Sequence, residues 1–130
     1  MPRVAVVTGG TRGIGGIVST QLKAKGYKVA AVYGGNTDAA KKFGDDTGIA
    51  VYKFDVSNYN ACQEGIALIE QDHGPTEILV NNAGITRDGT MHRMNPDKWQ
   101  AVIDTNLGSC FNMSRLVIDG MREGKFGRIV

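Results

Sequence analysis

The sequence predicts an α/β fold, a doubly wound parallel sheet with helices on both faces. Three observations predict it. Short apolar runs alternate with longer amphipathic stretches in a β-α-β order along the whole chain. Most of the runs are continuously apolar rather than alternating, as strands covered on both faces are. The first of them, Val4-Ala5-Val6-Val7, leads straight into the glycine-rich turn Thr8-Gly9-Gly10-Thr11-Arg12-Gly13-Ile14-Gly15, which opens a helical pattern. Right-handed crossovers then leave a Rossmann-type sheet with strand order 3-2-1-4-5, with the sequence stopping inside the fifth strand.

The first strand is expected over Arg3–Thr8. The first helix follows with Ile14, Ile17, Val18 and Leu22 spaced as one apolar stripe, and Gly26 closes it. The second strand is expected over Lys28–Tyr33 and a second helix over about Asp38–Asp45. The third strand is expected over Ala50–Asp55. A third helix carries Cys62, Ile66 and Ile69 and stops at His73-Gly74-Pro75. The fourth strand is expected over Ile78–Asn81. A fourth helix begins with Asn95 as cap and Pro96 in its first turn, and runs to about Arg122. The last strand begins at Arg128.

The composition sets limits on partners. A chain of 130 residues supports one core, and 42% hydrophobic with 22% charged residues is ordinary for a globular protein. A net charge of +2 argues against nucleic acid as a partner. No apolar run approaches the ~20 residues of a membrane span, and the start of the chain lacks a signal-peptide pattern, so a cytoplasmic location is expected. Cys62 and Cys110 read as buried thiols in a reducing compartment. His73 and His92 lack companions at metal-ligand spacing, so no metal is expected.

In sheets of this kind ligands bind at the carboxyl ends of the strands, so those ends carry the functional reading. The glycine-rich turn lets backbone approach a pyrophosphate, and the following helix directs free N–H groups at it. The second strand ends at Tyr33-Gly34-Gly35-Asn36 without the acid that usually holds a ribose 2′-hydroxyl. Arg12 would suit the 2′-phosphate of NADP; Lys41 and Lys42 are either further cations for it or solvated surface charges. Asp55, after the third strand, either accepts from an adenine amino group or caps the local turn. Asn81-Asn82-Ala83-Gly84-Ile85 either lets a cofactor pass close to the backbone or forms a simple turn. Asn106 falls on a stripe with Trp99, Ile103 and Cys110, where a buried amide must be bonded; it is either structural glue or the anchor of a site. Gly108 would permit a bend nearby.

Taken together, Thr8–Gly15, Asp55-Val56, Asn81-Asn82-Ala83-Gly84 and Asn106 in Asp104-Thr105-Asn106 resemble the short-chain dehydrogenase/reductase family over essentially the whole chain. Asn82–Asp88 resembles its 3-oxoacyl reductases. Val102–Leu107 and Val117–Met121 make the chain similar to bacterial acetoacetyl-CoA reductases of polyhydroxybutyrate synthesis, relatives of the 3-oxoacyl-[acyl-carrier-protein] reductases. The resemblance implies NADPH-dependent reduction of a 3-oxoacyl thioester to a (3R)-hydroxyacyl product. It implies that Gly9, Thr11, Arg12, Gly13, Ile14 and Gly15 hold pyrophosphate and ribose, and that Gly34 lies near the adenosine. Asp55 and Val56 would contact adenine, and Asn82, Ala83, Gly84 and Ile85 the ribose and nicotinamide. Asp88 would approach substrate, Asn106 would help hold a proton-relay water, and a homo-oligomer, a tetramer at full length, is implied.

The family's Ser and Tyr-x-x-x-Lys do not occur in these residues. The positions four after Tyr27, Tyr33, Tyr52 and Tyr59 are Ala31, Thr37, Val56 and Gln63. Residues 1–130 are therefore expected to be the NADP-binding half of a single-domain reductase. Alone, they are expected to be catalytically inactive and prone to self-association.

Overall fold

A computed structural model describes residues 2–130. Its five parallel strands are β1 (Val4–Thr8), β2 (Lys28–Tyr33), β3 (Ala50–Lys53), β4 (Ile78–Val80) and β5 (Arg128–Ile129), in the order β3-β2-β1-β4-β5. This is the expected doubly wound α/β arrangement. The helices are α1 (Gly13–Ala24), α2 (Thr37–Thr47), α3 (Tyr59–His73), α4 (Pro96–Val102) and α5 (Ser109–Glu123).

Alternate residues of the same strand feed two different cores. Val6, Ala30, Val32 and Leu79 pack against Cys62, Ile66 and Ile69 of α3 and Met113, Val117 and Met121 of α5. Val7, Val29 and Ala31 pack on the other face with Val18 and Leu22 of α1 and Phe43 of α2. Both faces of β1 and β2 are buried, which is why the strands carry no polar alternation.

Asparagine side chains start three of the helices. Asn36, Asn58 and Asn95 accept from Ala39, Ala61 and Lys98 N–H at 2.9, 2.9 and 2.8 Å. Pro96 sits at the start of α4 as expected.

Three expectations need correction. Ile14 and Ile17 do not face the core; they are 76% and 61% exposed. The buried face of α1 is Gly15, Gly16 and Ser19, with Ser19 Oγ donating to Gly10 O at 2.9 Å. Glycines bring the helix so close to the sheet that the large side chains beside them are turned outward. The helix from Asn95 is also not uniform. Residues Ile103–Gly108 form a wide turn in which Ser109 N–H reaches back five residues to Asp104 O. That extra residue shifts the helical phase, so Asn106 is exposed rather than buried on an apolar stripe. Cys110 lies beside this turn and is half-buried, whereas Cys62 is buried.

Candidate functional site

The carboxyl ends of β1, β2, β3 and β4 surround a cleft of about 600 Å³. Its floor is built from β1 and β4. Thr8 Oγ1 accepts from Asn82 N–H at 3.0 Å and from Ala83 N–H at 2.9 Å. Asn82 Nδ2 donates to the Thr8 and Gly9 carbonyls at 3.1 Å each. One threonine and one asparagine thus fix the glycine-rich turn against the end of β4, so this segment is more than a simple turn.

The turn itself leaves room that side chains would fill. Gly9 and Gly13 have φ of +59° and +55°. A Cβ at Gly15 would overlap the Gly9 carbonyl and come within 2.5 Å of Asn82 Nδ2. Helix α1 starts at Arg12 with no side-chain cap, so its first N–H groups stay available at the cleft. Backbone donors, a glycine cradle and a nearby guanidinium fit a pyrophosphate.

Of the expected cofactor residues, Gly9, Thr11, Arg12, Gly13, Gly34, Asp55, Val56, Asn82, Ala83, Gly84 and Ile85 line this cleft. Ile14 and Gly15 do not: Ile14 points to solvent and Gly15 supports the turn from beneath. Asp88 is exposed outside the cleft. Asn106 stands behind the wall, where Oδ1 accepts from Ile85 N–H at 2.8 Å and Nδ2 donates to Ile85 O at 3.0 Å. It therefore clamps the backbone of a lining residue.

Asp55 does form the local turn, since Oδ1 accepts from Ser57 N–H and Oγ at 2.9 and 2.7 Å, and it also lines the cleft. The two readings of this residue are compatible. Val56 is held from below. Its carbonyl accepts from Asn112 Nδ2 at 2.9 Å and from Cys62 Sγ at 3.4 Å. Burial pushes the Cys62 thiol up to about 11, helped by the Asp55 charge. Neither Lys41 nor Lys42 lines the cleft, and Lys42 is bonded to Asp46 at 2.7 Å.

Tyr33, Asn36, Arg87 and Thr105 also line the cleft from within the quoted stretches, and Phe54 and Ser57 line it from beside Asp55-Val56 without having been singled out. For Phe54 a mid-helix glycine was a usable clue, because a Cβ at Gly65 of α3 would overlap the Phe54 ring. Among the described residues no group of three or more His, Cys, Asp or Glu is placed to hold a metal, and no helix is long and apolar enough to cross a membrane.

The family model for short chain dehydrogenases matches residues 3–130. The chain belongs to the short-chain dehydrogenase family. It is 64% identical over 130 residues to an acetoacetyl-CoA reductase of Shinella zoogloeoides, covering 100% of this chain and 54% of that protein. It is 58% identical over 130 residues to an acetoacetyl-CoA reductase of Rhizobium meliloti (strain 1021), with the same coverage. A 3-oxoacyl-[acyl-carrier-protein] reductase, MabA, of Mycobacterium tuberculosis is 34% identical over 128 residues, 98% of this chain and 49% of that protein. The chain thus spans about half the length of the curated relatives it matches.

Proposed function

We propose that this chain is the NADP-binding half of a reductase that converts a 3-oxoacyl thioester, acetoacetyl-CoA, into (3R)-hydroxybutyryl-CoA for polyhydroxybutyrate synthesis. The observation that carries the cofactor reading is the cradle of Gly9, Gly13 and Gly15 tied to Asn82 beneath an uncapped helix start. The relatives named acetoacetyl-CoA reductase support the substrate. NADP rather than NAD is favoured by Arg12 in the cleft and by the absence of an acid at the end of β2.

When bound, NADPH supplies the hydride that reduces the 3-oxo carbon. The chain's own part is to bind and orient. The glycine turn and the α1 N–H groups take the pyrophosphate, and Arg12 takes negative charge on the adenosine side. Asp55 and Val56 meet the adenine. Asn82, Ala83, Gly84 and Ile85 form the wall toward the reacting ring, which Asn106 steadies through Ile85 and from which it would also help hold a relay water. Asp88 would approach the acyl chain. The new hydroxyl needs one proton besides the hydride, and these residues hold no Tyr-x-x-x-Lys to donate it. The 130 residues are therefore binders without turnover, in a protein of cytoplasmic location that forms a homo-oligomer, a tetramer at full length.

A second reading follows from the MabA likeness: the thioester is carried on acyl-carrier protein rather than CoA. The test is a fluorescence titration with NADPH, followed by an absorbance assay with acetoacetyl-CoA on the same chain and on a form extended through a Tyr-x-x-x-Lys. Saturable NADPH binding, turnover only in the extended form, and preference for CoA over carrier-protein substrate are expected. Absence of saturable binding would overturn the cofactor reading, and normal turnover by the 130 residues would overturn the division of labour.

A further inference from the structure

We propose that Lys53 selects a 2′-phosphorylated dinucleotide, meeting the 2′-phosphate together with Arg12. The inference rests on the reading that the cleft takes NADP.

Strands β2 and β3 run in parallel register with Tyr33 opposite Lys53, and Phe54 N–H continues the ladder to Tyr33 O at 3.1 Å. Lys53 therefore stands at the carboxyl end of the sheet, level with the cleft residue Tyr33, although it does not itself line the cleft. Strand alternation puts it on the face of Val51, the face that packs with α1 and α2. Its Nζ donates to Thr37 Oγ1 at 3.0 Å. Thr37 is the first residue of α2, directly after the cleft residue Asn36.

That partner is a hydroxyl, not a carboxylate. The ion pairs among the described residues are Arg3–Glu77, Lys42–Asp46 and Arg115–Asp119, and none involves Lys53. The side chain is exposed and its four-carbon stem is flexible, so Nζ can turn from Thr37 toward the mouth of the cleft. Arg12 lines the cleft from the glycine turn. Lys53, bonded to Thr37, and Arg12, in the cleft lining, are thus the two cations brought to the turn between β2 and α2. A phosphate on the ribose there is bonded twice by charged donors, whereas a free 2′-hydroxyl offers neither cation an anionic partner. Asp38, the acid in the first turn of α2, is the counterweight: it would repel a phosphate that Lys53 did not neutralise.

The test is calorimetric binding of 2′,5′-ADP, 5′-AMP, NADPH and NADH to the purified protein, its Lys53→Met variant and its Lys53→Arg variant. Lys53→Met should weaken 2′,5′-ADP and NADPH about tenfold or more while leaving 5′-AMP and NADH within about twofold. Lys53→Arg should restore most of the difference. Unchanged 2′,5′-ADP binding in Lys53→Met overturns the assignment, and so does equal weakening of all four ligands, which marks a structural role. Parent protein that binds 2′,5′-ADP no better than 5′-AMP removes the NADP reading itself, a result distinguishable from failure of Lys53 alone.

Discussion

Asn106 grips Ile85 at both backbone atoms, accepting from its N–H at 2.8 Å and donating to its C=O at 3.0 Å. The donor and acceptor of one amide side chain match the backbone donor and acceptor of one residue. The grip spans from the wide turn at Ile103–Gly108 to the cleft wall after β4, and it holds the lining residue Ile85.

Asn106→Asp tests that grip, since a carboxylate accepts from the Ile85 N–H but cannot donate to its carbonyl. Because the site is exposed, the stability loss should be small, about 1 kcal/mol. The larger effect is expected on NADPH affinity, through a loosened wall. Chemical unfolding and fluorescence titration read the two separately. A full loss of stability with unchanged affinity per folded molecule would place Asn106 in the fold alone.

The glycines of the turn are predicted to differ sharply. A Cβ at Gly15 meets the Gly9 carbonyl and Asn82 Nδ2, whereas one at Gly13 meets nothing within 4 Å. Gly15→Ala should cost about 1–3 kcal/mol and displace the turn from Asn82, abolishing measurable NADPH binding. Gly13→Ala carries only the penalty of its positive φ, roughly 1–2 kcal/mol, and should retain binding. Thermal unfolding and titration of the two variants side by side check the contrast; equal behaviour would contradict the packing argument.

These two features also show what was legible in the sequence. The strand order and the glycine turn could be read because β1 and β2 are buried on both faces and leave an unbroken apolar record. The outward turn of Ile14 and Ile17 could not, because glycines rather than large residues form the contact face of α1. The exposure of Asn106 depends on a single wide turn that no residue spacing announces. Lys53 is hidden for a different reason. A polar residue ending a strand looks like any solvated strand end until the register places it beside Tyr33 and Thr37. Asn112 shares the difficulty, since its partner Val56 is far away in sequence.

Asn112→Leu should expose how much the cleft wall at Val56 depends on α5. The amide is buried and donates to the Val56 carbonyl at 2.9 Å. Its loss leaves that carbonyl with only the weak Cys62 thiol donor, at 3.4 Å. A loss of about 1–3 kcal/mol is expected from denaturant midpoints. A neutral outcome would mean that the thiol alone satisfies the carbonyl.

The thiol itself gives a pH prediction. Burial first, and the Asp55 charge second, raise Cys62 from 9.0 to about 11 in the folded protein. The folded state therefore holds this proton more tightly than the unfolded chain. Its contribution to stability is complete below pH 9 and is lost as pH rises toward about 11. Cys62→Ala should flatten that part of the stability–pH curve. In parallel, alkylation at pH 8 read by mass spectrometry should label the half-buried Cys110 well before Cys62. Faster labelling of Cys62 would contradict the burial argument.

The final prediction concerns the outer face of α5 and of the wide turn before it. Leu107 and Phe111 are 65% and 64% exposed, and Ile118 continues the same stripe three turns along from Leu107. Phe111 also leans on Tyr59 of α3, ring centres 6.4 Å apart, so the patch extends across two helices. Contiguous apolar surface of this kind is disfavoured in water and favours association of copies. The flanking Arg115–Asp119 pair, at 3.2 Å, leaves the stripe without net charge to keep copies apart. Phe111→Glu places a carboxylate at the centre of the patch while removing no buried contact of the core. Light scattering across a dilution series should show the parent chain self-associating and Phe111→Glu shifted toward monomer. Unaltered unfolding midpoints at low concentration would confirm that the change acts at the surface, and unchanged association would assign self-association to another face.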